Sequence, residues 1–103
     1  MAALQLKFTP EELRRRADWL EAQLALIPRI EHETGDWLEQ HRRFRAACAD
    51  LSERLRSDCD ATVTSDGSGA CIRMMDIRAT CTAGEGGAFR NWIAAARRKA
   101  GVP

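Results

Sequence analysis

A chain of 103 residues with 45% hydrophobic and 30% charged residues has the size and composition of one folded domain, buries about two-thirds of its unfolded surface, and is neither disordered nor collagenous. No apolar run approaches the roughly 18 residues that span a bilayer, and Met1 to Thr9 carries neither a basic nor an apolar region of a secretory signal, so a cytoplasmic address is expected. The net charge of +1 divides into ten Lys/Arg against twelve Asp/Glu over residues 1–60 and six against three over residues 61–103, an asymmetry too small to imply a polyanionic partner by itself.

The first helix is announced by Thr9-Pro10-Glu11-Glu12, with Thr9 as N-cap, Pro10 at the first helical position and Glu12 completing a capping box. Leu13, Ala17, Leu20, Leu24 and Ile27 then recur at helical spacing and line one face. Pro28 ends or kinks the helix, because proline disfavours helical geometry at Ile27 and removes a donor. Residues 28–35, with Pro28, Thr34 and Gly35, read as a connector in which Arg29 to Glu33 form at most an irregular turn. One kinked helix is the alternative.

A second apolar stripe follows in Trp37, His41, Phe44, Cys48, Leu51 and Leu55. Two such stripes joined by a short breaker predict an antiparallel helical hairpin. Glu39 with Arg43, and Asp50 with Arg54, are favourably oriented i,i+4 pairs on solvated faces.

After Asp60 the period changes. Ala61 to Ser65 is rich in β-formers, Asp66-Gly-Ser-Gly69 carries turn chemistry, and Ala70 to Thr82 contains strand-like stretches with Met75, Ile77, Ala79 and Cys81 on alternate positions. A short β-hairpin is the simplest reading; being marginal alone, it must lie on the helices or pair with another chain. The last element, Ala88 to Ala100, shows Phe89, Trp92, Ile93 and Ala96 on one face, with Arg97-Arg98-Lys99 at its C-terminus. Thr82 and Glu85 spell a second capping box, but the glycines between place the expected start near Gly86 or Gly87. The predicted fold is therefore a single α+β domain over residues 1–103: an N-terminal antiparallel helical hairpin, a short β-hairpin and a C-terminal amphipathic helix.

Chemistry is sparse. Cys48, Cys59, Cys71 and Cys81 contain no C-x-x-C pair, which argues against structural zinc, and a cytosolic address keeps them reduced. They read as packed thiols. His32 falls in the connector and His41 on the apolar stripe, and no serine or cysteine has an evident base-and-orienter partner. Neither catalytic residues nor a cofactor or metal site is expected.

The stretch Thr82 to Phe89 is the most function-like, since glycines ahead of a helix expose backbone N–H groups to an anion. It lacks the lysine of a P-loop and the βαβ context of a dinucleotide site, and Glu85 would repel an anion. A structural turn allowing close packing of strand and helix is the plainer reading. Arg14-Arg15-Arg16 and Arg42-Arg43-Arg45, with the basic C-terminus, grip phosphates only if folding brings them to one face. Consecutive helical residues point about 100° apart, so each cluster splays around its helix. Trp19, Trp37 and Trp92 fit core stripes better than base-stacking platforms.

The run TCTAGEGGAFRNWIAAARR, from Thr80 to Arg98, resembles the C-terminal segments of short uncharacterised proteins encoded by bacteriophages and prophages. That resemblance implies a small accessory protein that binds host or phage components and assigns no catalytic residue. The expectation is a non-enzymatic protein-interaction module, possible as a homodimer, with a nucleic-acid-binding protein as alternative. The candidate contact residues for a partner or anion are Gly84, Gly86, Gly87, Arg90, Arg97, Arg98 and Lys99.

Overall fold

The computed structural model describes residues 8–27 and 36–101, so the expected connector at 28–35, with His32, lies outside the described residues. Helix α1 spans Pro10–Ala25, α2 spans Trp37–Asp58 and α3 spans Glu85–Lys99, with strands β1 (Thr62–Asp66), β2 (Gly69–Met74) and β3 (Ile77–Cys81) between α2 and α3. The α+β class stands, with helices at both ends of a mixed fold.

Local chemistry explains the helix starts. Thr9 Oγ1 accepts from the Glu12 amide at 3.1 Å, with Pro10 in the first turn, and Asp36 Oδ1 accepts from the Glu39 amide at 3.2 Å. Each cap satisfies an N–H with no partner inside the helix. Leu13, Ala17 and Leu20 are buried as their spacing requires. The two N-terminal helices run antiparallel: Arg16 donates to Cys59 Sγ at 3.0 Å, and Arg54 from α2 donates to Gln23 Oε1 of α1 at 2.7 Å.

The expected hairpin becomes a three-stranded antiparallel meander, β1-β2-β3. The strand-like stretch 70–82 is broken at Met75-Asp76, both with positive φ, 52° and 61°, as a two-residue type I′ connection needs. Met-Asp carries no glycine or asparagine, so no turn signature marks this bend in the sequence. Register places Val63 opposite Ile72 and Ile72 opposite Ala79, and these three, with Ala70, Met74 and Ile77, form the inward face. Thr62, Thr64, Arg73, Arg78 and Thr80 point to solvent, the alternation of a sheet covered on one face. On the flanking strands, Arg56 Nη2 donates to Val63 O and Asn91 Nδ2 to Thr80 O, both at 2.7 Å.

The core is organised by α3. Its buried face, Gly86, Ala88, Phe89, Trp92, Ile93 and Ala96, packs against β2 and β3 on one side and along α1 on the other, while α2 closes over β1. Helix α3 starts at Glu85 with Gly84 as N-cap and no side-chain cap bond, so it begins slightly earlier than expected and leaves the Thr82–Glu85 box unused. Trp92 is wholly buried, and its indole Nε1 donates to Met74 O at 3.0 Å.

That bond ties α3 to the turn end of β2. Replacing Trp92 by Phe keeps most of the apolar volume but removes the indole donor to the Met74 carbonyl, at a cost of about 1 kcal/mol. Denaturant unfolding of Trp92→Phe checks this through a lower midpoint at unchanged slope.

Candidate functional site

The glycine-rich turn is built as a packing joint. Gly84, at φ 125°, turns the chain from β3 into α3. A Cβ on Gly86 would lie 3.3 Å from the Phe44 ring and 3.8 Å from Cys48 Sγ, and one on Gly87 would collide with Cys81 Sγ. Gly87 lets α3 approach β3 more closely than a side chain permits, and Gly86 keeps the contact with Phe44 free of crowding. Glu85, in the first turn of α3, accepts from Ser52 Oγ of α2. A carboxylate already occupies the positive end of this helix.

Arg90, Arg97, Arg98 and Lys99 occupy different situations. Arg97 donates to Asp18 Oδ1 and Glu21 Oε2, each at 2.9 Å, and so pins the C-terminal part of α3 to α1. The hydrogen bonds and charge of Arg97 hold the Glu21 carboxyl below its ordinary pKa. Arg98 and Lys99 are exposed. Arg90 is exposed and pairs with no carboxylate among the described residues.

The other arginines are largely spent within the chain. Arg15 pairs with Glu11 at 2.9 Å, while Arg42 and Arg43 both reach Glu39 at 3.3 Å. Arg16 stacks 5.2 Å over Trp19 while donating to Cys59. It borders a cleft of about 1110 Å³ shared with Arg15, Arg56 and Arg73 and with Glu12, Asp58, Asp60 and Asp76. Four cations against four carboxylates give that cleft no preferred sign of ligand.

All four thiols are unpaired, Cys48 buried and the others half-buried. Burial pushes the Cys48 thiol up, with Glu85 adding to it, and burial likewise raises Cys59 against the opposing charge of Arg16. Both stay protonated at neutral pH, as packed hydrophobes do. Among the described residues no three His, Cys, Asp or Glu side chains converge to hold a metal ion.

The feature that sequence reasoning missed lies on α2. Its lower stripe is core: Cys48 is 3% exposed and Leu51 and Leu55 are fully covered. Its upper stripe is not. Trp37 is 50% exposed, so it leaves the core stripe to which its spacing assigned it, and the off-stripe Leu38 is 69% exposed. His41 is half-buried with its ring centroid 4.2 Å from that of Trp37. Phe44, also half-buried, forms one wall of a groove of about 720 Å³ that is lined as well by Leu24, Ile27, Arg90 and Ile93 and by the paired Glu21 and Arg97. The signal available in the sequence was the adjacent pair Trp37-Leu38, since two large apolar residues in succession on a helix cannot both face one core.

Comparison with protein-family models, with curated proteins and with solved structures finds no match.

Two outcomes test this geometry. Gly87→Ala should destabilise the fold by about 1 to 3 kcal/mol through overpacking, and the double variant Gly87→Ala/Cys81→Ala should recover part of the loss in thermal melts. For Glu21, a lowered folded-state pKa means that the ionised carboxylate contributes stability above its unfolded value near 4.5, lost as pH falls through the folded value. The stability gap between the native chain and Glu21→Gln should therefore be open at neutral pH and narrow steadily below pH 4.5.

Proposed function

We propose that this chain is a non-enzymatic protein-interaction module of the bacterial cytoplasm, a small phage accessory protein whose target is a host or phage protein. The observation that carries the reading is one helix with two fates: the stripe of α2 is core from Cys48 onward and half-exposed at Trp37, beside which the off-stripe Leu38 is exposed as well. Exposed aromatic and aliphatic side chains in one patch are the mark of a recognition surface, because Trp in particular supplies large contact area at low entropic cost. Self-association belongs to the same reading.

Two further observations support the helical pair over the sheet as the contact surface. Arg56 and Asn91 already engage the Val63 and Thr80 carbonyls on the flanking strands, which blunts an edge as a template for strand addition. The phage origin rests on the resemblance of residues 80–98. Arg97, shared between Asp18 and Glu21, is poorly placed to neutralise a phosphate.

The test is capture from bacterial lysate on the tagged chain, with and without nuclease and at low and high salt. The expected partner is a protein whose recovery is nuclease-resistant and weakly salt-dependent. Recovery should fall about tenfold or more with Trp37→Ala/Leu38→Ala. Recovery that disappears with nuclease or collapses with salt would replace this reading with nucleic-acid binding through the arginines.

A further inference from the structure

We propose that the open face of the sheet carries a site for one tetrahedral oxyanion, a phosphate or sulfate group, held between Arg73 of β2 and Arg78 of β3. The inference goes beyond the interaction-module reading, which rests on α2, and neither depends on the other.

The register brings the two arginines together. Met74 pairs with Ile77 across the two-residue connection, and Arg73 pairs with Arg78 in the next row. In a two-residue hairpin the pair flanking the turn is the hydrogen-bonded one, so the arginine row is non-hydrogen-bonded, with Cα atoms about 4.5 Å apart and side chains at their closest. Both arginines are exposed on the face opposite the buried Ile72, Met74 and Ile77. Like charges directly opposed across two strands destabilise a sheet, and a carboxylate would relieve them. Neither arginine forms an ion pair among the described residues. Asp66, two rows away on β1, is engaged by the amide and hydroxyl of Ser68 at 2.7 and 2.6 Å. Asp60 and Asp76 border the large cleft together with Arg73 without pairing with it.

What surrounds the arginines is neutral and rich in hydroxyls. Thr62 continues their row on β1, and Thr64 and Thr80 flank Cys71 in the row beside it. All three threonines are exposed, and Arg78 shares a shallow depression of about 330 Å³ with Thr64 and Thr80. The guanidinium fork matches the oxygens of a phosphate or sulfate two N–H bonds at a time, and threonine hydroxyls add single donors. One dianion between the two arginines replaces their repulsion by attraction on both sides.

Charge also sets the size of the ligand. Asp60 precedes β1, Asp66 ends it and Asp76 lies in the connection between β2 and β3, so carboxylates stand at the margins of the face that the two arginines centre. A single dianionic group is neutralised there. A nucleic-acid backbone, which carries a charge every few ångströms, would run into the carboxylates. Strands β1, β2 and β3 hold no aromatic residue, so a nucleic-acid base would find no platform on which to stack.

The experiment titrates the full chain with sodium phosphate and with sodium sulfate, against sodium chloride at equal ionic strength, and reads backbone and arginine side-chain NMR shifts together with thermal melting. Phosphate and sulfate should each give saturable shifts confined to Thr62, Arg73, Arg78 and Thr80, half-complete at about 1 to 10 mM, where chloride gives none. Arg73→Gln should weaken binding about tenfold, the loss of one charge-assisted pair. Arg78→Glu should abolish binding and, in chloride, melt above the native chain, because a cross-strand ion pair replaces the repulsion. Both positions are exposed, so these variants keep the fold. Shifts that grow without saturating, or that chloride reproduces, would overturn the inference, as would saturable binding that survives Arg78→Glu. Duplex DNA forms a third arm: binding through Arg73 and Arg78 far tighter than that of phosphate, and lost steeply with salt, would replace the single-oxyanion site with a nucleic-acid face.

Discussion

The structure depends on the close seating of α3. A short sheet with one apolar face cannot stand in water, and α1 needs a surface for its own stripe; α3 supplies both. Phe89 and Trp92 are completely covered, and Trp92 alone contributes both apolar volume and a hydrogen bond to the Met74 carbonyl. Close approach at the entry to this helix requires that Gly87 carry no side chain, since Cys81 already occupies the space, and Gly86 packs tightly beside Phe44. The glycine-rich run that resembles a ligand loop is thus the joint on which the core closes. At the other end, Arg97 fastens the same helix to Asp18 and Glu21 of α1.

This arrangement governs where recognition chemistry is left over. Six of the thirteen arginines among the described residues are committed inside the chain to carboxylates, to a backbone carbonyl or to the face of Trp19. The buried residues of the 22-residue α2 begin at Cys48, so among the described residues its first turns are not covered by the core. Trp37 and Leu38 stand there. An uncovered turn exposes whatever its sequence places there, and here that is the largest apolar side chain available.

Much of the fold was legible along the chain. Thr9 caps α1 as a short polar residue does ahead of a helix, and the buried residues of α1 fall where the period puts them. The bend at Met75-Asp76 was not legible, because a two-residue connection with positive φ is signalled by glycine or asparagine and this one has neither. It survives because Met75 packs against the core cluster, which offsets the cost of its backbone. Gly86 and Gly87 were correctly readable as packing residues, although what they pack against was not.

The sequence by itself determined the helices and their apolar faces, the β character of residues 61–82 and the antiparallel sense of α1 and α2, since each follows from local period, capping and the short breaker between the two helical stripes. Tertiary structure alone decided that α1 takes α3 as its principal neighbour, that Arg97 is neutralised, and that the α2 stripe divides into a core half and a partly exposed half. Periodicity reports which side chains share a face. Whether that face is covered depends on where the neighbouring elements lie, and that is a property of the assembled fold.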